Sequence, residues 1–354
     1  MEQSKDLIKL LNLMEHPAFF VENGMIRLVN TRAKSLFLEE NQNIQPLLYT
    51  GQAEYPATPR GGLSLKLKIL DRVWDASVTP MESGDVFTLR EAAASPELQA
   101  MALVAQHLRS SIAPMLTAAE ALLPSCMIQE NPEAKHQAAQ ISRGLHQLLR
   151  NIGNMADAAK YQSQEVFPKE TLDIDGFIRE IMGKTRHFLE AAHIRLAHEG
   201  LSAPLYCQVH RELLERGIYN LISNSAKFTP AGGTITASLT RQGTRLYFTV
   251  ENPAYQEAMP NPAQAFSGYL RQPAIGDGRQ GIGLGMVLVR AAASAHGGAL
   301  LLDYTPQGNL RATLTMEIDQ STSRIRSPQL RVDYSGERDH GLIELSDILP
   351  PSCY

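Results

Sequence analysis

The sequence predicts a multidomain protein in three parts: a small α+β unit, an antiparallel helical hairpin, and an α/β unit at the C-terminus. The first observation is size, since 354 residues with 44% hydrophobic content bury more than one core. The second is a change of period, from strand-like alternation before Ala92 to heptads after Pro96. The third is the return of mixed helix and strand patterns beyond Pro168. Charge narrows the function classes: a net charge of -4 and a pI near 6.2 give no positive field for a nucleic acid. Three cysteines, widely spaced, fit neither a disulfide framework nor paired metal-ligand spacing, and point to a reducing cytoplasm. The most apolar stretch, Gly281 to Leu302, is broken by Arg290, His296 and glycines, and Met1 to Asp6 lacks a signal-peptide core. The expectation is a soluble, cytoplasmic protein without a membrane span.

Residues 1–92 begin with a short helix over Leu7 to Met14. Apolar runs Ala18 to Val21 and Met25 to Val29 flank Asn23-Gly24, the strongest short signal for a hairpin. A helix over Thr31 to Leu38 follows, then Pro- and Gly-rich turns, then strands at Leu63 to Ile69, Val73 to Val78 and Val86 to Leu89. Hairpin, short helices and strand meander together resemble a PAS domain, carried by Pro17-Ala18-Phe19-Phe20-Val21 and Ile26-Arg27-Leu28-Val29-Asn30. An unspecified small α+β domain is the alternative, because this fold hosts unrelated ligands or none.

Residues 95–165 open with Ser95-Pro96, an N-cap followed by proline in the first turn. Met101, Ala105, Leu108, Ile112, Met115, Ala119 and Leu122 form a heptad seam, repeated by Ala138, Ile141, Leu145, Leu148, Ile152, Met155 and Ala159. Two such helices form a hairpin, and pairing with a second copy gives a dimeric four-helix bundle. A homodimer follows as an expectation; a hairpin packed only on its neighbouring domains is the alternative.

In residues 166–318, a helix from Arg211 to Phe228 carries two stripes. Leu214, Ile218, Leu221, Ser225 and Phe228 form the apolar one; Asn220, Asn224 and Lys227 form the other. Amides and an ammonium beside a buried face need a ligand or water. An amide oxygen suits Mg²⁺, and a lysine one turn on suits phosphate. The bland reading is a solvated polar face. Downstream, Gly281, Gly283 and Gly285 open a helix from Met286 to His296, where glycines and the helix dipole admit anionic oxygens. The spacing is not that of a dinucleotide fingerprint.

Taken together, Asn220-Leu-Ile-Ser-Asn224-Ser-Ala-Lys227-Phe-Thr and Gly281-Ile-Gly-Leu284-Gly285 followed by Ala295-His296-Gly297-Gly298 resemble the N box and second glycine box of sensor histidine kinases. Between them Phe266, Tyr269 and Arg271 resemble the aromatic box of the nucleotide lid. The resemblance implies an α/β sandwich of the Bergerat type that binds ATP and Mg²⁺. By position it puts Asn224 on the metal, Asn220 one turn earlier, Lys227 on phosphate, and Gly281, Gly283, Leu284 and Gly285 along the phosphates. It also implies Phe266 and Tyr269 at the lid.

Two departures stand out. Where the family carries Asp-x-Gly-x-Gly this chain reads Val250-Glu251-Asn252-Pro253, so that Glu251 is either the adenine partner or a strand-end charge. Where the family places its phosphoacceptor, the run is Gln106-His107-Leu108-Arg109-Ser110-Ser111-Ile112, in which no carboxylate adjoins His107. His107 is the candidate phosphoacceptor, rotated about 100° from the family register, with His136 and His146 as fallbacks. The tail, 319–354, ends in an apolar run, Leu342 to Leu349, that either packs back or stays unfolded. It has no room for a receiver domain, so the expected response regulator is a separate protein. The implied function is an atypical sensor histidine kinase of a two-component system. The alternatives are an inactive ATP-binding switch and an ATPase of chaperone or repair type.

Overall fold

The computed structural model describes residues 2–55, 61–91, 96–122, 132–163, 167–253, 284–319 and 339–354. At the N-terminus, α1 (Glu2–Leu13) precedes a hairpin of β1 (Ala18–Glu22) and β2 (Met25–Val29). Its turn needs two positive φ angles, and Asn23 at 52° and Gly24 at 74° supply them. Buried Asn30 fastens this unit: its oxygen accepts from Ala18 N and Ala33 N, and its nitrogen donates to Leu11 O and His16 O. Every hydrogen bond of the amide is thereby used, at once capping α2 (Thr31–Lys34) and holding α1 against β1. The helix expected to reach Leu38 stops at Lys34, and Phe37 takes a φ of 59° that no α-helix continues through. The meander β3 (Gly62–Ile69), β4 (Arg72–Met81) and β5 (Gly84–Glu91) completes five strands in the order β2-β1-β5-β4-β3.

Helices α3 (Pro96–Leu122) and α4 (Pro132–Ser163) form the hairpin. The seam divides. Ala105 and Ile112 pack on Ile152, Leu145 and Met155 inside the hairpin, and Leu116 packs on Leu149. Leu103, Val104, Leu108 and Met115 of α3, with Ile141 and Leu148 of α4, stay exposed. A heptad stripe wide enough for two contacts has spent one of them inside the chain.

The C-terminal unit holds β6 (Glu170–Asp173), α5 (Ile174–Ala191), β7 (Arg195–Glu199), β8 (Tyr206–Val209), α6 (Arg211–Phe228), β9 (Thr234–Gln242), β10 (Arg245–Asn252), α7 (Leu284–Ala295), β11 (Leu300–Tyr304) and β12 (Leu310–Glu317). Its sheet, β11-β12-β10-β9-β7, is mixed, with β7 parallel to β9. Alternating residues of β10 (Leu246, Phe248 and Val250) join Leu214, Ile218, Leu221, Leu288 and Ala292 of α6 and α7 in one core. An α/β sandwich results, helices on one face of the sheet.

The two sheets are one. Strand β3 pairs antiparallel with β11, Ser64 opposite Leu300 and Gly62 opposite Leu302, giving ten continuous strands. Gly61 is required at this joint, because a Cβ there would fall on the Leu302 carbonyl. Glu54 locks it with an ion pair to Arg245 at 2.5 Å, and Arg245 also donates to Gly297 O at 2.9 Å. Beyond the sandwich, α8 (His340–Glu344) and the residues up to Tyr354 pack against α4 and α6, the folded alternative for the tail. Among the described residues no helix is long and apolar enough to cross a membrane.

The start of α6 and the end of α7 are tied by histidines. His210 caps α6, its Nδ1 accepting from Leu213 N at 3.1 Å, and its own backbone N–H donates to His296 Nε2 at 3.0 Å. His296 Nδ1 donates to Ala292 O at 2.7 Å, so the buried ring must stay neutral, and burial lowers its pKa to about 4. The unfolded chain takes up this proton below about pH 6.5 and the native chain does not, so stability is full above that pH and falls toward pH 4. In urea melts at pH 7 and pH 5, the wild-type protein should lose about 2 kcal/mol more than His296→Asn, which has no such proton to bind.

Candidate functional site

The polar stripe of α6 is fully buried at Asn220 and half-buried at Asn224 and Lys227. Asn220 lies in the helix interior of the domain with its Nδ2 donating to Arg216 O at 2.9 Å, and no donor among the described residues reaches its Oδ1. Opposite stands Gly285, where a Cβ would fall on that same oxygen. One turn later Asn224 Nδ2 donates to Met286 Sδ at 3.3 Å, a weak partner for an amide. The end of the glycine run and the amide stripe therefore face each other across α6 and α7. Leu284 belongs to this region but not to its polar side: with Val287 it packs on Ala158 and Ala159 of α4. Its side chain binds the stalk, a correction to the expectation that it lines phosphates. Gly281, Gly283, Phe266, Tyr269 and Arg271 lie outside the described residues.

Lys227 meets a carboxylate. Its Nζ lies 2.5 Å from Asp347 Oδ2 of the tail, with the ammonium side chain only 8% exposed. Burial, with Arg150 close by, lowers the lysine pKa against the pull of Asp347. Although burial opposes it, Arg150 and Lys227 hold the Asp347 carboxyl below the usual carboxylate range, so the pair is ionised. Arg216, absent from the sequence reading, extends the stripe by one turn. Its guanidinium pairs with Asp157 at 2.9 Å and Glu344 at 3.1 Å and donates to Asn154 Oδ1 at 2.7 Å. Arginine four residues before an asparagine box has no signature of its own; only its full burial marks it.

Glu251 is misplaced for adenine. Val250 points into the core beneath α6 and α7, so strand alternation turns Glu251 to the opposite face, where Oε1 accepts from Asn309 Nδ2 at 2.8 Å. Asn252 takes the helix-side position instead, buried at the strand's end. The strand-end charge is the reading the geometry supports for Glu251.

On the stalk, His107 is exposed, and among the described residues no side chain bonds its ring. Arg109 cannot attend it: its Nε and Nη2 are buried, and the guanidinium points toward Gly153 beside Arg216. Of the fallbacks, His136 is exposed and contacts Gln140 Nε2 at 2.8 Å. His146 is not a surface group: it is buried, bonded to Ser142 O at 2.8 Å, with its ring 4.9 Å from Tyr354.

Residues 209–320 match the family described as histidine kinase-, DNA gyrase B-, and HSP90-like ATPase. Similar curated proteins include the sensor-like histidine kinase SenX3 of Mycolicibacterium smegmatis, 24% identical over 221 residues, which are 61% of this chain and 56% of that protein. The adaptive-response sensory kinase SasA of Trichormus variabilis is 24% identical over 223 residues, 62% of this chain and 54% of that protein. The chain spans about half the length of these relatives. Among solved structures, full-length ShkA in complex with AMPPNP is 16% identical, covering 64% of this chain and 47% of its own, with a TM-score of 0.49. Residues 209–320 are thus similar to ATPase domains of that family, and the sequence similarity of the chain runs to sensor histidine kinases.

The buried amide oxygen of Asn220 and the bare backbone of Gly285 predict a coupled pair of substitutions. Gly285→Ala should cost about 1–3 kcal/mol by overpacking. Asn220→Ala, which removes an acceptor without a donor, should leave thermal stability unchanged or raise it by about 1 kcal/mol. In the double variant the cost of Gly285→Ala should disappear; additive losses in calorimetry would show that the two residues do not oppose each other.

Proposed function

We propose that this chain, with its ATPase domain of histidine kinase type, is an atypical sensor kinase that binds Mg²⁺·ATP on α6 and α7 and phosphorylates His107. The observation that carries the reading is Asn220 Oδ1, a buried acceptor that no donor among the described residues reaches, facing a glycine at the head of α7. A buried acceptor of that kind costs stability unless a ligand meets it. The side-chain oxygens of Asn224 and Asn220 are hard donors suited to Mg²⁺ and its waters, and the metal would supply neutralisation of phosphate charge. Gly285 leaves room for an anionic oxygen, and Lys227 offers a point charge to phosphate. Asn252, on the helix side of β10, offers an amide oxygen to the adenine amino group in the role first given to Glu251.

Transfer would form a bond from an imidazole nitrogen of His107 to the terminal phosphorus as ADP departs. No carboxylate neighbours His107 in sequence to draw off its proton, so the step is slow or needs a partner. From the phosphohistidine, the group would pass to an aspartate of a separate response regulator. PAS-like architecture is supported for the first domain by its hairpin, short helices and strand meander; its ligand is left open. Should the chain bind nucleotide without label transfer, the same site serves a pseudokinase switch.

Incubation with γ-labelled ATP tests the kinase directly. Acid-labile label should appear on wild type and vanish in His107→Gln; a nucleotide-bound but unlabelled wild type would overturn phosphotransfer and leave the switch.

A homodimer through the stalk is supported by the apolar face left exposed, in which Leu108 is 40% and Leu148 50% exposed. Asp at either position buries a charge in the shared seam. Light scattering should report a dimer for wild type and monomers for Leu108→Asp and Leu148→Asp; two dimeric variants would place the interface elsewhere.

A further inference from the structure

The segment from Asp339 to Tyr354 does more than cover surface. Two of its acids, Glu344 and Asp347, enter a cleft between the stalk and the C-terminal sandwich whose walls carry Arg150 of α4 with Arg216 and Lys227 of α6. Glu344, fully buried, pairs with both arginines, at 3.5 Å to Arg150 Nε and 3.1 Å to Arg216 Nη1. Asp347 pairs with Arg150 and Lys227. Arg150 also donates to Ser223 Oγ at 3.0 Å, so the stalk, the ATPase helix and the tail meet in one network. Backbone carbonyls of the tail are engaged too: Gln147 donates to Ser346 O at 3.1 Å and Arg143 to Asp347 O at 3.3 Å. The apolar half of the segment is anchored separately, Ile343 on Leu116 and Leu149, and Leu345 and Leu349 in the core of the ATPase domain.

Charge makes the tail's role specific. Within this cleft Arg150, Arg216 and Lys227 gather near the buried Arg109 guanidinium, and the body of the protein answers them with Asp157 on Arg216. The tail provides the other two carboxylates. Buried cations left unpaired are costly, so departure of the tail requires another polyanion in its place. A nucleoside triphosphate is such a polyanion, and Lys227 is the residue that the proposed function assigns to its phosphates.

We infer that the tail is a built-in competitor of the nucleotide: Asp347 occupies the Lys227 ammonium in place of a phosphate, and Glu344 clamps the ATPase domain to the stalk. The inference rests on the nucleotide reading of the α6 stripe. Tail docking and nucleotide binding exclude each other, and the docked form is the resting one. Glu344 adds to the contacts that hold α6 against α4, among them Arg216 with Asp157 and Asn154.

The full-length protein is titrated with a fluorescent ATP analogue and Mg²⁺ as wild type, Asp347→Asn, and the double variant Glu344→Gln/Asp347→Asn. Removing the competing charge should tighten nucleotide binding roughly fivefold or more. Hydrogen exchange on wild type gives a readout that needs no variant to fold: saturating Mg²⁺·ATP should speed exchange of the amides from Gly341 to Leu349. Equal or weaker affinity in the variants, or unchanged exchange in nucleotide-saturated wild type, overturns the inference. Failure of every protein to saturate at millimolar nucleotide would instead remove the nucleotide reading, and the inference with it.

Discussion

Burial of the polar stripe on α6 is the constraint around which the rest of the molecule is arranged. Arg216, Asn220, Ser223 and Lys227 lie on a helix whose other face is the core of the ATPase sandwich. Each buried polar group needs a partner, and the helix itself gives little beyond Arg216 O, which accepts from Asn220. Asp157, Asn154 and Arg150 come from the stalk, Glu344 and Asp347 from the tail, and Gly285 from α7 comes close enough to enclose Asn220. Stalk, tail and the head of α7 thus converge on one helix because its polar groups cannot be left bare. Among the described residues no donor reaches Asn220 Oδ1, and a buried acceptor of that kind is suited to a ligand.

The joint between β3 and β11 gives the N-terminal and C-terminal units a second connection besides the stalk. Backbone pairing, the Glu54–Arg245 ion pair and the close approach at Gly61 couple the N-terminal sheet to the strand next to β12, and through β12 to β10. Arg245 starts β10 and Asn252 ends it.

Much of this was legible in the sequence because it rests on local periodicity. Helix α6 spans Arg211–Phe228 as its stripe and flanking residues indicate, and β2 spans Met25–Val29 behind its Asn-Gly turn. The juxtaposition of Asn220 and Asn224 with the glycine run was legible too, through the family resemblance rather than through spacing. Other features had no local mark. The β3–β11 pairing uses backbone groups that any sequence possesses. Glu344 and Asp347 lie inside the apolar run of the tail without any motif, and Arg216 is one charge among several on its helix; only the tertiary fold shows that each needs the others. Glu251 was misassigned because the motif fixes a position along the strand, whereas the face follows from alternation with Val250. The heptads gave the hairpin but not the division of its seam, since one stripe serves both the partner helix and an outer face.

The central claim is that the α6 stripe and the head of α7 form a nucleotide–metal site. Anomalous diffraction from crystals grown with Mn²⁺ and a non-hydrolysable ATP analogue addresses it most directly. The account predicts a manganese peak at roughly 2.2 Å from the side-chain oxygen of Asn224, with phosphate density beside Gly285. A metal peak remote from Asn224, or nucleotide density on the Glu251 face of the sheet, would contradict it.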